Sequence, residues 1–204
     1  MFSPIIYTIG HSTHPAEYFV KLLQTHGITC VVDVRSIAAS RYNPQYNQKQ
    51  LSAFLNTHFI TYLHFAEAFG ARQTSPEAVD ATGRVDFEKV RRSSTFQNGM
   101  KRLHQGVEKG YVIALMCAES DPLDCHRFVM ITPALVEDGF EVRHMLKDKT
   151  LLSNRELEDR LLKKYEKKLP KPDVFQSEIP REEKLRLAFR LRNDEVGWKA
   201  EDKA

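Results

Sequence analysis

Tyr111-Val-Ile-Ala-Leu-Met116 runs directly into Cys117-Ala-Glu-Ser-Asp-Pro-Leu-Asp-Cys-His-Arg127, and this stretch decides how the chain is read. Its first part is almost continuously apolar, as strands are when helices cover both faces of a parallel sheet. Its second part changes abruptly to thiols, carboxylates, an imidazole and a guanidinium. Asp121 is a good N-cap and Pro122 suits a first helical position, so a helix is predicted from about Pro122. Pro133 should kink or divide it, because proline removes a backbone donor.

Outward from this stretch the same alternation recurs. Ile5-Ile-Tyr-Thr-Ile9 reads as a buried strand ended by Gly10, and Tyr18, Phe19, Leu22 and Leu23 have the spacing of a helix that stops at Gly27. Thr29-Cys-Val-Val-Asp-Val34 is a second strand. A polar loop covers 35–50, a helix about 48–57, and a third strand lies near Ile60 to Leu63. Residues 66–85 lack clear periodicity and read as a long excursion, which in a compact domain is more often functional than accidental. A helix over about 86–109 leads into Gly110, and Glu141-Val-Arg-His-Met145 is the last predicted strand. Repeated β-α units imply an open sheet with right-handed crossovers. The expected fold is α/β, a Rossmann-like three-layer sandwich with a mostly parallel central sheet.

The tail differs. A charged helix is predicted over 150–168, Pro170, Pro172 and Pro180 mark a break, and a second charged helix comes after it over about 181–193. The expected organisation is therefore an α/β domain at 1–148 and a charged helical C-terminal extension at 149–204.

Composition narrows the class without naming a function. Thirty basic residues nearly balance twenty-seven acidic ones for a net charge of +3, so nucleic acid is permitted rather than implied. No run approaches the ~18–20 apolar residues that span a bilayer, so no membrane partner is expected. Met1-Phe-Ser-Pro-Ile-Ile lacks the basic flank and cleavage site of a signal peptide, and the expected location is the cytoplasm. Three cysteines, Cys30, Cys117 and Cys125, do not suit a disulfide framework and are read as reduced thiols.

In open α/β sheets ligands bind beyond the carboxyl ends of the strands. Those ends carry Gly10-His11-Ser12-Thr13, then Asp33-Val34-Arg35 leading to Arg41, then Glu67 and Arg72, then Cys117-Ala-Glu119 leading to Cys125-His126-Arg127, and last His144. The candidate catalytic residues are Cys117, Cys125, His11, His126 and Glu119. Ser12, Asp33, Arg35, Arg41, Arg72 and Arg127 are the candidates for binding an anion or substrate. His126 and Arg127 near a helix start make sense if an anion joins them, and the same field should favour a thiolate at Cys125. Plainer readings stand beside these: Cys117 as a small apolar strand end, Asp33 and Arg35 as an internal ion pair, and Arg127 as a partner of Glu119, Asp121 or Asp124. The spacing Cys-x7-Cys-His is not the close Cys-x2-Cys of common zinc sites, and no metal is expected. Neither a Gly-rich dinucleotide fingerprint nor a phosphate-binding Gly-x4-Gly-Lys-Ser/Thr occurs, and no cofactor is expected.

Tyr7-Thr-Ile-Gly-His-Ser-Thr13, Val31-Val-Asp-Val-Arg35, Ser40-Arg-Tyr-Asn-Pro-Gln-Tyr-Asn47 and Leu115–Arg127 together resemble the bacterial and archaeal family called domain of unknown function 488, over about residues 5–146. The resemblance implies an α/β sandwich and no established activity. Two positions depart from the family's pattern: Ala38, where proline is usual, and Ala71, where a second glycine is usual and a left-handed backbone would now be disfavoured.

The leading expectation is an enzyme acting on a phosphate-bearing substrate, a nucleotide or nucleic acid, through this Cys/His/Arg edge. One alternative is a non-catalytic nucleotide- or nucleic-acid-binding regulatory module, and another is a thiol redox protein using Cys117 and Cys125.

Overall fold

The computed structural model describes residues 3–172 and 178–199. Strand β1 (Ile5–Gly10) leads into helix α1 (Ala16–Thr25), and β2 (Cys30–Asp33) into α2 (Gln48–Thr57) and β3 (Thr61–His64). A single-turn α3 (Ala66–Phe69), then α4 (Phe87–Arg92) and α5 (Ser94–Glu108), bring the chain to β4 (Ile113–Cys117). Beyond β4 lie α6 (Thr132–Glu137), β5 (Glu141–Met145), β6 (Leu151–Ser153), α7 (Asn154–Tyr165) and α8 (Arg181–Val196).

The six strands form one sheet in the order β3-β2-β4-β1-β5-β6, parallel throughout except that β6 pairs antiparallel to β5. Side chains alternate across it as a pleat requires. Ala114 and Met116 of β4 join Ile9 and Val31 in a core closed by Phe19, Leu22 and Leu23 of α1 and Leu51 and Leu55 of α2. Ile113, Leu115 and Cys117 face the opposite core, with Phe96, Met100 and Leu103 of α5 and Leu135 of α6. This is the expected three-layer α/β sandwich.

The elements depart from the sequence reading in four places. The helix expected over 86–109 is divided at Ser93, whose hydroxyl accepts the amide of Phe96 and so caps a new helix. The excursion 66–85 contains α3 and a turn of 3-10 helix at Pro76–Ala78. The charged helix expected from 150 begins only at Asn154, after β6, with Ser153 and Glu156 forming a capping box. The expected division at 148 thus falls between two strands of one sheet, and α8 packs on α7.

The fourth departure shapes the site. Only a 3-10 turn, Pro122–Asp124, succeeds the cap at Asp121, and Cys125 is extended at φ −130 and ψ 141. The true helix starts at His126 and passes through a π-helical segment, Arg127–Ile131, into α6. Pro133 explains the widening. It lacks the amide that would serve Val129, so the Val129 carbonyl accepts Arg91 Nη1 at 3.5 Å instead. Thr132 sends both its amide and its hydroxyl back to the carbonyl of Arg127. None of the described helices is long and apolar enough to cross a membrane.

Candidate active site

β1 and β2 pass their chain to helices on one face, whereas β4, which lies between them, passes its chain to the other. Adjacent loops therefore diverge, and the crevice they leave is where ligands bind in open α/β sheets. A cavity of about 690 Å³ opens there, lined among others by His11, Ser12, Arg35, Arg72, Cys117, Glu119 and His126. Seven of the eleven sequence-predicted residues thus line one cleft. Cys125, Asp33, Arg41 and Arg127 do not.

Burial explains three of the four exceptions. Asp33 is fully buried and held in a fork by Arg35, with Nε at 2.9 Å from Oδ1 and Nη2 at 2.6 Å from Oδ2; Tyr62 donates to the same carboxylate at 2.7 Å. Arg127 is also fully buried. Its Nη1 and Nη2 donate to the backbone carbonyls of Glu119 and Ser120 at 2.9 and 3.2 Å, not to the carboxylate of Glu119, Asp121 or Asp124. Cys125 lies behind Cys117, only 1 % exposed. Arg41 is exposed on the 35–47 loop.

Arg35 joins the halves of the cleft. Beyond its hold on Asp33 it donates to the Tyr46 carbonyl at 2.8 Å, and its Nη1 lies 3.1 Å from His11 Nε2. An arginine can only donate, so Nε2 accepts, and Nδ1–H donates to the Ser12 carbonyl at 2.8 Å. Burial, reinforced by Arg35 and Arg127, pushes the His11 pKa down to about 4, which matches this neutral tautomer. The ring stacks on Tyr46 with centroids 4.0 Å apart.

The turn after β1 is shaped by the chain itself. His11 and Ser12 amides donate to the Cys117 and Ala118 carbonyls, and Ser12 adopts a left-handed φ of 49°. Gly10 does allow a close approach, but to the chain's own 119–120 backbone. Among the described residues Ala71 is not left-handed, so its departure from the family pattern costs the backbone nothing.

The thiols form the floor. Cys117 Sγ donates to Glu119 Oε2 at 2.8 Å and lies 3.7 Å from His126 Nδ1; Cys125 Sγ lies 3.8 Å from the same nitrogen. His126 Nε2–H donates to the Val34 carbonyl at 3.0 Å, which turns Nδ1 towards both sulfurs. The donor atoms of Cys117, Cys125 and His126 all lie within 4.8 Å of one another, a group able to hold a metal ion. The wide sequence spacing conceals it, because strand end and helix start meet only once the intervening turn folds back.

The surroundings push the two thiols in opposite directions. Burial raises the Cys117 pKa well above the ordinary thiol range, and the neighbouring Cys125 sulfur adds to this. Burial alone would raise Cys125 as well, but Cys117, Arg127 and His126 outweigh it and push the Cys125 pKa well below the ordinary thiol range. At this helix start the Cys125 sulfur accepts the Arg127 amide at 3.4 Å. Burial raises the Glu119 pKa, and Cys125 adds to it; although the residue is exposed, its carboxyl group turns inward onto Cys117.

Sequence reasoning missed Trp198, which lines the cleft from beyond α8 and accepts the Val85 amide at its carbonyl. A lone tryptophan in a charged tail carries no signal of where it docks. Ser36 and Asn43 were also missed; they belong to the loop after β2, where their types suit any turn.

The family model described as domain of unknown function DUF488 matches residues 15–132, more than half of the chain and shorter at both ends than the resemblance over 5–146. No curated protein and no solved structure matches.

Proposed function

The chain belongs to the DUF488 family, and we propose that it is a thiol enzyme whose cleft receives a phosphate-bearing substrate, a nucleotide or a nucleic-acid end, against Cys117. One observation carries this reading: Cys117 is the described cysteine that lines the cleft, and its thiol already donates to a carboxylate, Glu119, at 2.8 Å. A thiol so placed has its proton acceptor in position. Arg35, whose Nη1 keeps one hydrogen besides the one facing His11, and Arg72 line the same cavity with the hydroxyls of Ser12, Ser36 and Ser40, a set suited to phosphate oxygens.

In the proposed step Glu119 takes the Cys117 proton. The sulfur then bonds to the electrophilic phosphorus or carbon, the bond to the leaving oxygen breaks, and Glu119 returns the proton to that oxygen. Water later releases the group from sulfur. The Cys125 sulfur and His126 behind set the charge of the pocket floor.

Iodoacetamide labelling with subsequent peptide mass mapping tests the assignment. Cys117 should label ahead of Cys30 and Cys125, and inorganic phosphate or a nucleoside monophosphate should slow it. Labelling that spares Cys117, or that no phosphate compound affects, sinks the proposal. The proximity of the two sulfurs favours a second reading, a dithiol oxidised by a peroxide that takes up two electrons and two protons as the disulfide forms. An intact mass lower by two hydrogens after peroxide treatment, with no phosphate protection, would move the assignment there.

A further inference from the structure

Beneath the cleft, two sulfurs and one ring nitrogen converge to within 4.8 Å of one another. Zinc bonds sulfur at about 2.3 Å and imidazole nitrogen at about 2.0 Å, and tetrahedral angles then separate sulfur from nitrogen by about 3.6 Å. The observed separations of 3.7 and 3.8 Å fit a small ion at the centre of the three donors. The imidazole is also pre-oriented. Its Nε2–H is fixed on the Val34 carbonyl, the support that metal-bound histidines typically receive, so Nδ1 faces both sulfurs. Glu119 Oε2, hydrogen-bonded to Cys117 Sγ at 2.8 Å, stands outside this group of three donors. The Arg127 guanidinium is tied through Nη1 and Nη2 to the backbone carbonyls of Glu119 and Ser120.

We infer that Cys117, Cys125 and His126 bind a soft divalent cation of the zinc class, with the fourth position left to a group from the cleft, and that the bound cation masks Cys117. Two thiolates and an imidazole favour Zn2+ over Mg2+ or Ca2+, which prefer oxygen. Three protein ligands and a fourth position open to the cleft make a site that exchanges its ion more readily than a closed four-cysteine site. Binding displaces the thiol proton, so metal and free thiol are alternative states of one pocket floor. The masking half rests on the proposal of Cys117 as nucleophile; the cation site stands independently of it.

The full chain, reduced under nitrogen and stripped with a chelator, provides the test. Co2+ should bind one per chain and give the visible absorption of a tetrahedral thiolate site, and Zn2+ should abolish it by displacement. One equivalent of Zn2+ should slow iodoacetamide labelling of Cys117 at least tenfold and leave Cys30 unchanged, with a chelator restoring the rate. Cys125→Ser and His126→Gln should each weaken Zn2+ at least tenfold; circular dichroism checks that they fold, and the wild-type Co2+ spectrum needs no variant. An absent thiolate spectrum, or Zn2+ held equally well by folded Cys125→Ser, overturns the cation site. If metal-free Cys117 never labels, the thiol reading fails while the Co2+ spectrum still decides the cation site. If it labels at the same rate with Zn2+ bound, masking alone is overturned.

Discussion

A Cβ placed on Gly10 would lie 1.8 Å from the carbonyl oxygen of Glu119 and 3.1 Å from the Cα of Ser120. The end of β1 and the turn after β4 are therefore in backbone contact, and that contact sets the height of Glu119 over Cys117. Gly10→Ala must push the two apart. The expected cost is about 3 kcal/mol, at the upper end for overpacking because backbone rather than a flexible side chain must move. Urea unfolding measures it, and an unchanged midpoint would show that the 119–120 turn yields freely.

Arg127 and Arg72 should separate stability from binding. Arg127→Ala removes two charge-assisted bonds that pin the 119–120 carbonyls and leaves a cavity where a fully buried side chain stood. A loss of about 3–5 kcal/mol is expected, combining those bonds with the void. Arg72 is exposed at the cleft wall, so Arg72→Ala should leave the melting temperature nearly unchanged and weaken phosphate binding about tenfold. Thermal unfolding and calorimetric titration with inorganic phosphate read the two effects. The reverse pattern would return Arg127 to the anion-binding role expected from its place near a helix start.

Asp33→Asn tests whether the buried fork positions the cleft. The variant leaves Arg35 buried with half its partner, and breaking a buried pair in this way costs about 3–5 kcal/mol. Tyr62→Phe removes only the 2.7 Å hydroxyl bond to the same carboxylate and should cost about 1 kcal/mol. Denaturant midpoints for the two variants give the comparison. Equal losses would mean that the fork is not what holds Arg35 against His11.

The layers were legible in the sequence because buried strands are nearly pure apolar runs: Cys30–Asp33 and Ile113–Cys117 are buried at every position. Ser93 was read as part of one helix because its neighbours keep helical spacing and a serine inside a helix looks the same as one that starts another. β6 escaped because three residues on an edge, none of them buried, make no pattern. In the site, topology brings the strand ends together, and seven of the residues that sequence position collects there line one cleft. Sequence position misjudged Arg127 because arginine is read as surface chemistry, and nothing local reveals that Glu119 and Ser120 will fold over it. The Cys-x7-Cys-His spacing likewise hides how near its three donor atoms lie, because the extended Cys125 and the preceding 3-10 turn shorten the span only in three dimensions.

His144 should make the protein sensitive to acid. It sits fully buried on β5. Its Nδ1 lies 2.8 Å from the Thr8 hydroxyl, Phe128 packs edge-on at 5.8 Å, and Asn154 faces the ring from α7. Burial drives its pKa down from 6.5 to about 3, the nearby charge of Arg127 pushes the same way, and Asn154 opposes only in part. The unfolded chain therefore binds a proton near pH 6.5 that the folded chain refuses until about pH 3. Stability tied to the neutral ring is complete above pH 6.5 and falls as the pH drops towards 3, by a few kcal/mol at most. His11, pushed down to about 4, adds to the fall over the upper part of the same window. His144→Gln removes the contribution of that ring, so its plot of unfolding free energy against pH should be shallower than wild type between pH 6.5 and 4 and parallel to it above pH 7. Urea titrations at half-unit steps measure both slopes, and parallel curves throughout would mean that His144 takes up its proton without unfolding the chain.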